Sequence, residues 1–262
     1  VYFGLRGTNH TIASACSSGT ATIGMAYRDI KHGYADIVLC GGADSPLAKV
    51  VFGCWTSLRV LAKSEEPQTA CKPFDKQRRG MAIGEGAAML VLESRASAER
   101  RDVPSLARVV GYGASSDAHH LTAPSQAGQL AAIRACLRDA GIGPDAVDYI
   151  NMHGTATQSN DETEAGAVRD VFGARGRGLP LSSIKPIVGH SLGAIGAIEA
   201  VVCIRAIGDS FVPATVNCEQ PDPDIGLDYV QWEGRRHNVE LALSNSFAFG
   251  GSNACIVLGK PG

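Results

Sequence analysis

Apolar, strand-like runs alternate with helix-like segments through the second part of this chain. The pattern predicts strands at 106–113, 147–152 and 179–184, and helices at 126–140, 161–172 and 191–207. Strands separated by helical connections favour an α/β fold, in which helices cover the faces of a sheet. We therefore expect an α/β chain.

The first part of the chain and its last stretch have different patterns from this. Near-continuous apolar runs at 36–42 and 86–93 predict strands of a sheet that is covered on both faces. Residues 64–80 between them are rich in charge, proline and glutamine, which indicates a surface loop. The last stretch predicts a hairpin, with strands at 241–247 and 253–258 around Gly250 and Gly251. The charged segment 94–104 marks a boundary, so we expect domains at 1–103 and 104–262.

Composition limits the possible function classes. The chain has 262 residues, of which 45% are hydrophobic and 19% charged, enough for one large or two small domains. Its net charge is -2 and it has no polybasic block, so neither nucleic acid nor an anionic membrane surface is an expected partner. No apolar run reaches the ~18 residues of a membrane span, and no secretory signal is evident. We expect a cytoplasmic protein.

The eight cysteines do not suggest a metal site. No two of them are separated by the two-residue gap of a zinc knuckle or a redox pair. We therefore expect reduced thiols, most of them buried, and no bound metal.

Cys16 is the first candidate for chemistry. It lies in a run of small residues, SACSSG at 14–19, before a helix-like segment at 17–30. A thiol is a strong nucleophile only as thiolate, and the N-terminus of a helix lowers its pKa. We predict that Cys16 is a nucleophile with a lowered pKa. The alternative is a small buried core residue.

Two histidines stand in polar, glycine-bearing loops. His153 opens HGTAT at 153–157, directly after a predicted strand, where open α/β sheets place their ligand groups. His190 follows KPIVG at 185–189. A histidine at a strand end can instead bind loop carbonyls. One thiol and two imidazoles are, however, the groups needed to form a carbon–carbon bond through a thioester.

Seven motifs together resemble the elongating β-ketoacyl-acyl-carrier-protein synthases. They are SACSSG at 14–19, CKPFD at 71–75, GEG at 84–86, SSDA at 115–118, HGTAT at 153–157, Lys185 with Gly189 and His190, and NSFAFGG at 245–251. Their order and spacing agree over essentially the whole chain, which makes the joint match specific. The resemblance implies a thiolase-like fold with layers α/β/α/β/α.

The resemblance also implies that this chain is truncated, because family members begin far upstream of the reactive cysteine. It would hold part of the first thiolase-like half and the complete second half. We expect the isolated polypeptide to expose a large apolar surface.

The family's chemistry can be carried over residue by residue. Cys16 would take the acyl chain from a carrier-protein thioester, and His153 and His190 would stabilise the enolate that forms when malonyl loses its carboxylate. The N–H groups of Cys16 and Phe249 would hold an oxyanion. Phe249 would also gate the acyl channel, in a loop where Ala248 replaces the family's usual glycine.

Polar residues around these groups have implied supporting roles. Lys185 and Glu199 would form a buried pair that orders the active-site histidine, rather than a solvated pair. Asp161 and Glu164 match the acids that follow the first histidine, although near a helix start they can equally be caps.

Further positions are assigned to substrates and partners by the resemblance. Thr155 and Thr157 would contact the phosphopantetheine arm, or else serve only as turn hydroxyls. The residues Phe52 and Trp55 fall where the family lines its acyl pocket, and we expect them to be ordinary core.

The implied partners are an acyl carrier protein, malonyl and acyl thioesters, and a second copy in a homodimer. Arg59 and Lys63 would face the acidic helix of the carrier. No metal or redox cofactor is expected, because the thioester carries the activation.

A rival hypothesis lies in the same loop as His190. GHSLG at 189–193 fits a nucleophile elbow, with Ser191 as nucleophile, His237 as base and an aspartate at 222, 224 or 228. That arrangement would make an acyltransferase or hydrolase. The short spacing from Ser191 to His237 argues against it, as does the lack of any role for Cys16.

Three relatives of the main hypothesis remain. A thiolase would need a second reactive cysteine, for which Cys255 matches only by position. A chain-initiating synthase would have asparagine in place of the second histidine. A non-catalytic chain-length partner subunit would generally lack the nucleophile, which Cys16 supplies.

Overall fold

The computed structural model describes residues 2–262 and is mixed α/β, as the alternating pattern predicts. The helices are α1 (Ser18–Lys31), α2 (Lys49–Ser57), α3 (Arg95–Arg101), α4 (Gln126–Ala140), α5 (Gln158–Phe172), α6 (Lys185–Val188) and α7 (Ile195–Asp209). The strands are β1 (Ile37–Asp44), β2 (Gly86–Glu93), β3 (Arg108–Ser116), β4 (Tyr149–Asn151), β5 (Leu181–Ser182), β6 (Phe211–Val212), β7 (Arg235–Arg236), β8 (Leu241–Phe247) and β9 (Ser252–Gly259).

A five-stranded sheet forms the centre of the molecule, in the order β3-β9-β8-β4-β5. β8 and β9 are the predicted hairpin, paired antiparallel, and both are buried along nearly their whole length. β4 runs parallel to both β8 and β5. The carboxyl ends of β4, β5 and β8 therefore meet at one edge of the sheet, which is where α/β folds place ligand groups.

Helices lie on both faces of this sheet. α4 packs on β3 and β9, and α5 packs against α4. On the opposite face, α1 and α7 lie between the five-stranded sheet and a second, two-stranded sheet of β1 and β2. Two hydrophobic clusters fill these spaces, one on each face of the central sheet. The order of layers is thus α/β/α/β.

The prediction that β1 and β2 are covered on both faces is wrong. Burial alternates along β2, where Met89 and Val91 are 56% and 64% exposed. Ile37 and Leu39 of β1 are exposed as well. One face of this small sheet packs on α1 and α7, whereas among residues 2–262 no layer covers the other. The expected exposed apolar surface is therefore present on this face.

The segment 64–80 is only partly the surface loop that its composition indicates. Phe74 is fully buried and stacks on Tyr229 with ring centroids 4.4 Å apart. Arg78 is 2% exposed and bonds Asp222 at 2.7 Å and Glu162 at 2.9 Å. Charge in the sequence misled the prediction because the Arg78 guanidinium is buried while it pairs with carboxylates from other parts of the chain.

Helix α2 also differs from its prediction, because none of its residues is buried. Phe52 is 39% exposed, and Trp55 is half-buried. Neither is ordinary core. Trp55 contacts the candidate site instead, where its ring stacks on that of Phe249 at 5.7 Å.

Two glycines allow the first part of the chain to reach the loop that carries His190. A Cβ on Gly84 would lie 2.3 Å from the carbonyl oxygen of Val188 and 3.0 Å from Cα of Gly189. Gly189 itself has φ +72, a conformation that glycine adopts without strain. The N–H of Gly84 donates to His190 O at 3.1 Å, and the N–H of His190 donates to Ala82 O at 2.7 Å.

We expect Gly84→Ala to destabilise the protein by about 1–3 kcal/mol, because the added methyl forces the backbone at 188–190 to move. Denaturant unfolding measures this change. The control is Gly53→Ala, where a Cβ meets nothing within 4 Å. In helix α2 that change should be neutral or slightly stabilising. Equal effects of the two substitutions would contradict the close packing at Gly84.

The open face of the β1–β2 sheet should bind a fluorescent apolar dye such as anilinonaphthalene sulfonate, because it exposes contiguous aliphatic side chains. Met89→Lys and Val91→Lys, whose side chains point away from the core, should lower the dye signal without loss of helical circular dichroism. A protein that melts cooperatively and binds no dye would contradict this description of the face.

Candidate active site

Cys16 lies in a tight turn immediately before α1. Residues Ala15–Ser17 form a single 3-10 turn that leads into the helix at Ser18. Ala15 has φ +50, in the left-handed region that is costly for alanine. This strained backbone sets the thiol at the start of the helix, where it is 6% exposed.

The pKa of the Cys16 thiol is not lowered, contrary to the prediction. Burial raises it to about 11, and this effect exceeds the opposing influence of the Lys185 charge and of two backbone N–H groups, those of Cys16 itself and Phe249. The helix start can be predicted from the sequence, but the burial that removes water from around the sulfur cannot. In the free protein Cys16 is therefore a protonated thiol at neutral pH.

His153 lies two residues beyond the end of β4, close to its predicted place at the strand end, and its backbone is held by a carboxylate. Glu164 on α5 accepts hydrogen bonds from the N–H groups of His153 at 2.7 Å and Gly154 at 2.9 Å. Asn245 on β8 donates to the same carboxylate at 3.2 Å. Glu164 is fully buried, and burial raises its pKa. It fixes the loop that carries the imidazole.

Asp161 has a related task one turn earlier on α5. Its carboxylate accepts from the N–H of Phe74 at 2.9 Å and from the side chain of Asn160 at 3.2 Å. Burial raises the pKa of Asp161 to about 7. Neither Asp161 nor Glu164 caps α5, because the N-cap is Thr157, whose hydroxyl accepts from the N–H of Asn160.

Lys185 is a fully buried cation that joins two elements of the site. Its Nζ lies 2.5 Å from Glu199 Oε1 and also donates to the backbone carbonyl of His153. The expected buried pair is therefore present. Burial raises the pKa of Glu199 to about 7, and the lysine charge acts in the opposite direction. Lys185 thus binds the carbonyl of His153, and Glu164 binds its N–H.

The rings of His153 and His190 lie edge to face, with centroids 5.3 Å apart. Burial lowers both pKa values well below the usual range, and the nearby Lys185 cation lowers them further. Both imidazoles are therefore neutral at pH 7. Within residues 2–262, Nδ1 of each ring is buried without a hydrogen-bond partner. A neutral imidazole can donate one hydrogen bond and accept one proton.

Phe249 lies in the turn of the β8–β9 hairpin. Gly250 and Gly251 have φ +84 and +73, which lets the chain reverse here. Ala248 needs no left-handed backbone, so it replaces a glycine without strain; its N–H donates to Ser252 O at 3.0 Å. The N–H of Phe249 faces the sulfur of Cys16, as the direction of its effect on the thiol shows.

A cavity of about 270 Å³ opens onto this arrangement. Cys16, His153 and Phe249 line it together with Thr155 and Thr157, whose hydroxyls lie 2.9 Å apart. Thr157 thus serves as a turn hydroxyl and a cavity wall at once. His190 is not among the lining residues, and its ring contacts that of His153. Arg59 is exposed between Leu58 and Val60, two residues at the cavity wall, and Lys63 is exposed four residues later.

One wall of this cavity has no role in the predictions from the sequence. The loop that runs from Asp117 to Pro124 lines it, including His120. His120 Nδ1 accepts hydrogen bonds from the N–H groups of Thr122 and Ala123, both at 3.1 Å. The sequence signal for this wall is the polar run between β3 and α4, of which the family motif SSDA covers only the first part.

The rival assignment to Ser191 is not supported by its surroundings. Ser191 lies just before α7, whereas the N–H of His237 donates to Ser210 O just beyond the other end of that helix. Fifteen helical residues place these ends roughly 20 Å apart. The hydroxyl of Ser191 is buried without a hydrogen-bond partner in the described part of the chain. No Ser191–His237 pair forms.

Cys255, the second thiol that a thiolase would need, lies outside the cavity. Cys255 is fully buried in β9, where its sulfur contacts Asn245 Oδ1 at 3.3 Å, so it is not a second thiol facing Cys16. The described residues contain no cluster of three or more histidine, cysteine or acidic side chains arranged to hold a metal ion. Across residues 2–262, helices long and apolar enough for a membrane span are not found.

Alkylation of Cys16 by iodoacetamide should rise steadily between about pH 8 and pH 10 without reaching a plateau, because the buried thiol is mostly protonated there. Peptide mass mapping in a Cys54→Ser background, which removes the exposed thiol, measures the rate. Lys185→Met should slow the reaction further, since it removes a charge that favours the thiolate. A plateau near pH 8 would contradict the raised pKa.

Comparison with known proteins places this arrangement in a family. Residues 1–98 match the family model of the β-ketoacyl synthase N-terminal domain, and residues 106–219 match that of the β-ketoacyl synthase C-terminal domain. Together these two regions account for most of the chain.

Two curated relatives illustrate the match. The chain is 45% identical over 253 residues to Nodulation protein E of Rhizobium meliloti, covering 97% of this chain and 62% of that protein. It is 40% identical over 263 residues to 3-oxoacyl-[acyl-carrier-protein] synthase 2 of Synechocystis sp., covering 99% of this chain and 63% of that protein. The chain thus spans less than two thirds of the length of these relatives.

Solved structures share the fold. A ketosynthase described in complex with its type II polyketide acyl-carrier protein and bound to a hexaketide has a TM-score of 0.93 and 35% identity, over 95% of this chain and 62% of that one. The ishigamide ketosynthase/chain length factor has a TM-score of 0.90 and 39% identity, over 97% of this chain and 61% of that one. The chain belongs to the β-ketoacyl synthase family, with a thiolase-like fold.

Proposed function

We propose that this protein catalyses decarboxylative Claisen condensation, in which an acyl group held on Cys16 is extended by two carbons from malonyl-acyl carrier protein. The observation that carries the proposal is that Cys16, His153 and Phe249 line one cavity, with the neutral imidazole of His190 5.3 Å from that of His153 and two backbone N–H donors acting on the thiol. Relatives named 3-oxoacyl-[acyl-carrier-protein] synthase 2 support it.

The first step is acyl transfer to Cys16. The sulfur attacks the carbonyl carbon of an acyl thioester, and the bond from that carbon to the carrier's sulfur breaks. Because Cys16 starts as a protonated thiol, its proton must leave during attack, and a neutral imidazole of the His153–His190 pair accepts it. The proton then passes to the departing carrier thiolate.

The second step creates the carbon nucleophile. Malonyl thioester loses its carboxylate as carbon dioxide, and the electron pair of the broken bond becomes an enolate. His153 and His190 donate hydrogen bonds to the enolate oxygen, where negative charge develops. Each neutral imidazole keeps one N–H group with which to donate, and burial strengthens the hydrogen bonds.

The third step joins the two groups. The enolate carbon attacks the acyl carbonyl on Cys16, and the N–H groups of Cys16 and Phe249 hold the resulting oxyanion. Collapse of this intermediate expels the Cys16 thiolate and leaves a β-ketoacyl thioester on the carrier. Lys185, close to the sulfur, stabilises the departing thiolate and is the source of the favourable charge effect on Cys16.

The proposed substrates reach the cavity on an acyl carrier protein. Thr155 and Thr157 would bind the phosphopantetheine arm along the cavity wall. Arg59 and Lys63, exposed beside the cavity, would meet the acidic carrier helix. A homodimer and a cytoplasmic location belong to the same proposal; the free state of all eight cysteines suits a reducing compartment. The reaction needs no metal or redox cofactor, because the thioester supplies the activation.

Intact-protein mass spectrometry with a panel of acyl carrier thioesters tests this function. We expect a mass increase equal to one acyl group, lost in Cys16→Ala and kept in Ser191→Ala. His190→Ala should still be acylated but should release carbon dioxide from malonyl carrier about 10²–10³-fold more slowly, since one donor to the enolate is gone. Acylation that persists in Cys16→Ala and disappears in Ser191→Ala would overturn the proposal in favour of the serine enzyme.

A further inference from the structure

Two pairs of hydroxyl groups connect the start of α1 to the tip of the β8–β9 hairpin. Thr20 Oγ1 lies 2.7 Å from Ser246 Oγ, and both residues are fully buried. Ser17 Oγ lies 3.2 Å from Ser252 Oγ. Ser17 is fully buried and Ser252 half-buried. Neither pair has a role in the chemistry described above.

These two hydroxyl pairs lie on either side of the hairpin turn. Ser17 and Thr20 are three residues apart at the start of the helix, so they lie on one side of it. Ser246 is near the end of β8 and Ser252 is the first residue of β9, so they flank the turn at 248–251. The hairpin tip is therefore attached to the helix start on both sides of the turn.

These hydroxyl pairs connect the segments that carry the two backbone N–H groups facing the sulfur of Cys16. One belongs to Cys16, the neighbour of Ser17. The other belongs to Phe249, inside the turn, and the N–H of the adjacent Ala248 donates to Ser252 O at 3.0 Å. The distance between the two donors is therefore set by how closely the hairpin tip sits on the helix start.

Ser17 is itself held rigidly. Its hydroxyl is 2.8 Å from Ser14 O and 3.0 Å from Ser14 Oγ, and its N–H donates to Ser14 O at 3.2 Å. The backbone before Cys16 and the side chain after it thus form one unit. A small shift of Ser252 away from Ser17 would move Phe249 and leave Cys16 in place.

We propose that Ser17, Thr20, Ser246 and Ser252 are positioning residues, a double hydroxyl clamp that keeps the N–H groups of Cys16 and Phe249 at the spacing needed to hold one oxyanion. The inference rests on the proposed function for its consequence in catalysis. A small change in this spacing is costly because donors stabilise an oxyanion only at about 2.7–3.1 Å. None of the four side chains needs to touch the substrate.

The kinetic test compares Ser252→Ala and Ser17→Ala with the conservative Ser252→Thr, which keeps the hydroxyl. We expect the rate of Cys16 acylation at saturating carrier thioester to fall about tenfold in the alanine variants, less than the loss of a whole donor. KM should change by less than about twofold, because the carrier-binding wall is untouched. Ser252→Thr should restore the rate.

A second readout does not depend on the proposed reaction. Displacing the Phe249 N–H from the sulfur should slow iodoacetamide alkylation of Cys16 at about pH 9 by roughly threefold in Ser252→Ala, but not in Ser252→Thr. Because Ser252 is half-buried, this variant keeps the test informative even where Ser17→Ala folds poorly. Thermal melting of each variant identifies such cases.

The results of these two experiments distinguish failure of the clamp from failure of the proposed function. If the unsubstituted protein is not acylated while alkylation still slows in Ser252→Ala, the proposed function fails and the clamp stands. If acylation occurs and the alanine variants match the parent in both readouts, the clamp is overturned and the proposed function stands. A fall in rate that Ser252→Thr does not restore, with a matching rise in KM, would also overturn it.

Discussion

The site depends on one buried cation. Lys185 has no contact with water and is stabilised by Glu199 and by the carbonyl of His153. A buried charge is tolerated only when it is paired and hydrogen-bonded, so these contacts fix the positions of three elements at once. Burial lowers the pKa of both histidines, and the Lys185 charge lowers it further; the same charge opposes the effect of burial on the Cys16 thiol.

The fold supplies the geometry that makes this cation useful. Because β4, β5 and β8 are parallel neighbours, the residues that follow them come out at one edge of the sheet. Those residues are His153, the segment with Lys185, and the hairpin tip with Phe249. Helix α1 brings Cys16 to the same edge from the neighbouring layer, and the close approach at Gly84 supports the loop of His190. Residues from both halves of the chain thus form one cavity.

Much of this could be predicted from the sequence, because its strongest signals are local. Helix α4 begins and ends where predicted, since Ser125 caps its start and Gly141 its end. The β8–β9 hairpin follows from apolar runs around two glycines. The pairing of Lys185 with Glu199 was predicted only through the family resemblance, since fourteen residues of separation alone do not distinguish a buried pair from a solvated one.

The failures share a different cause, which is that burial depends on what packs from far away. The apolar runs of β1 and β2 look like central strands, yet one face has no covering layer among residues 2–262. Arg78 and Phe74 sit in a charged segment but are buried by α5 and the segment around Tyr229. The thiol of Cys16 has the helix start that favours thiolate, but desolvation outweighs it. The cavity wall at 117–124 likewise needs the tertiary fold to be seen.

The proposed reaction requires a thioester carbonyl on Cys16 to lie between the N–H groups of Cys16 and Phe249, opposite the paired imidazoles. A crystal structure of the protein acetylated on Cys16 tests it most directly. We expect the acetyl oxygen at about 2.7–3.1 Å from both backbone nitrogens, with the methyl group toward the cavity. An acetyl oxygen that points away from both N–H groups, with the histidine rings out of reach, would contradict it.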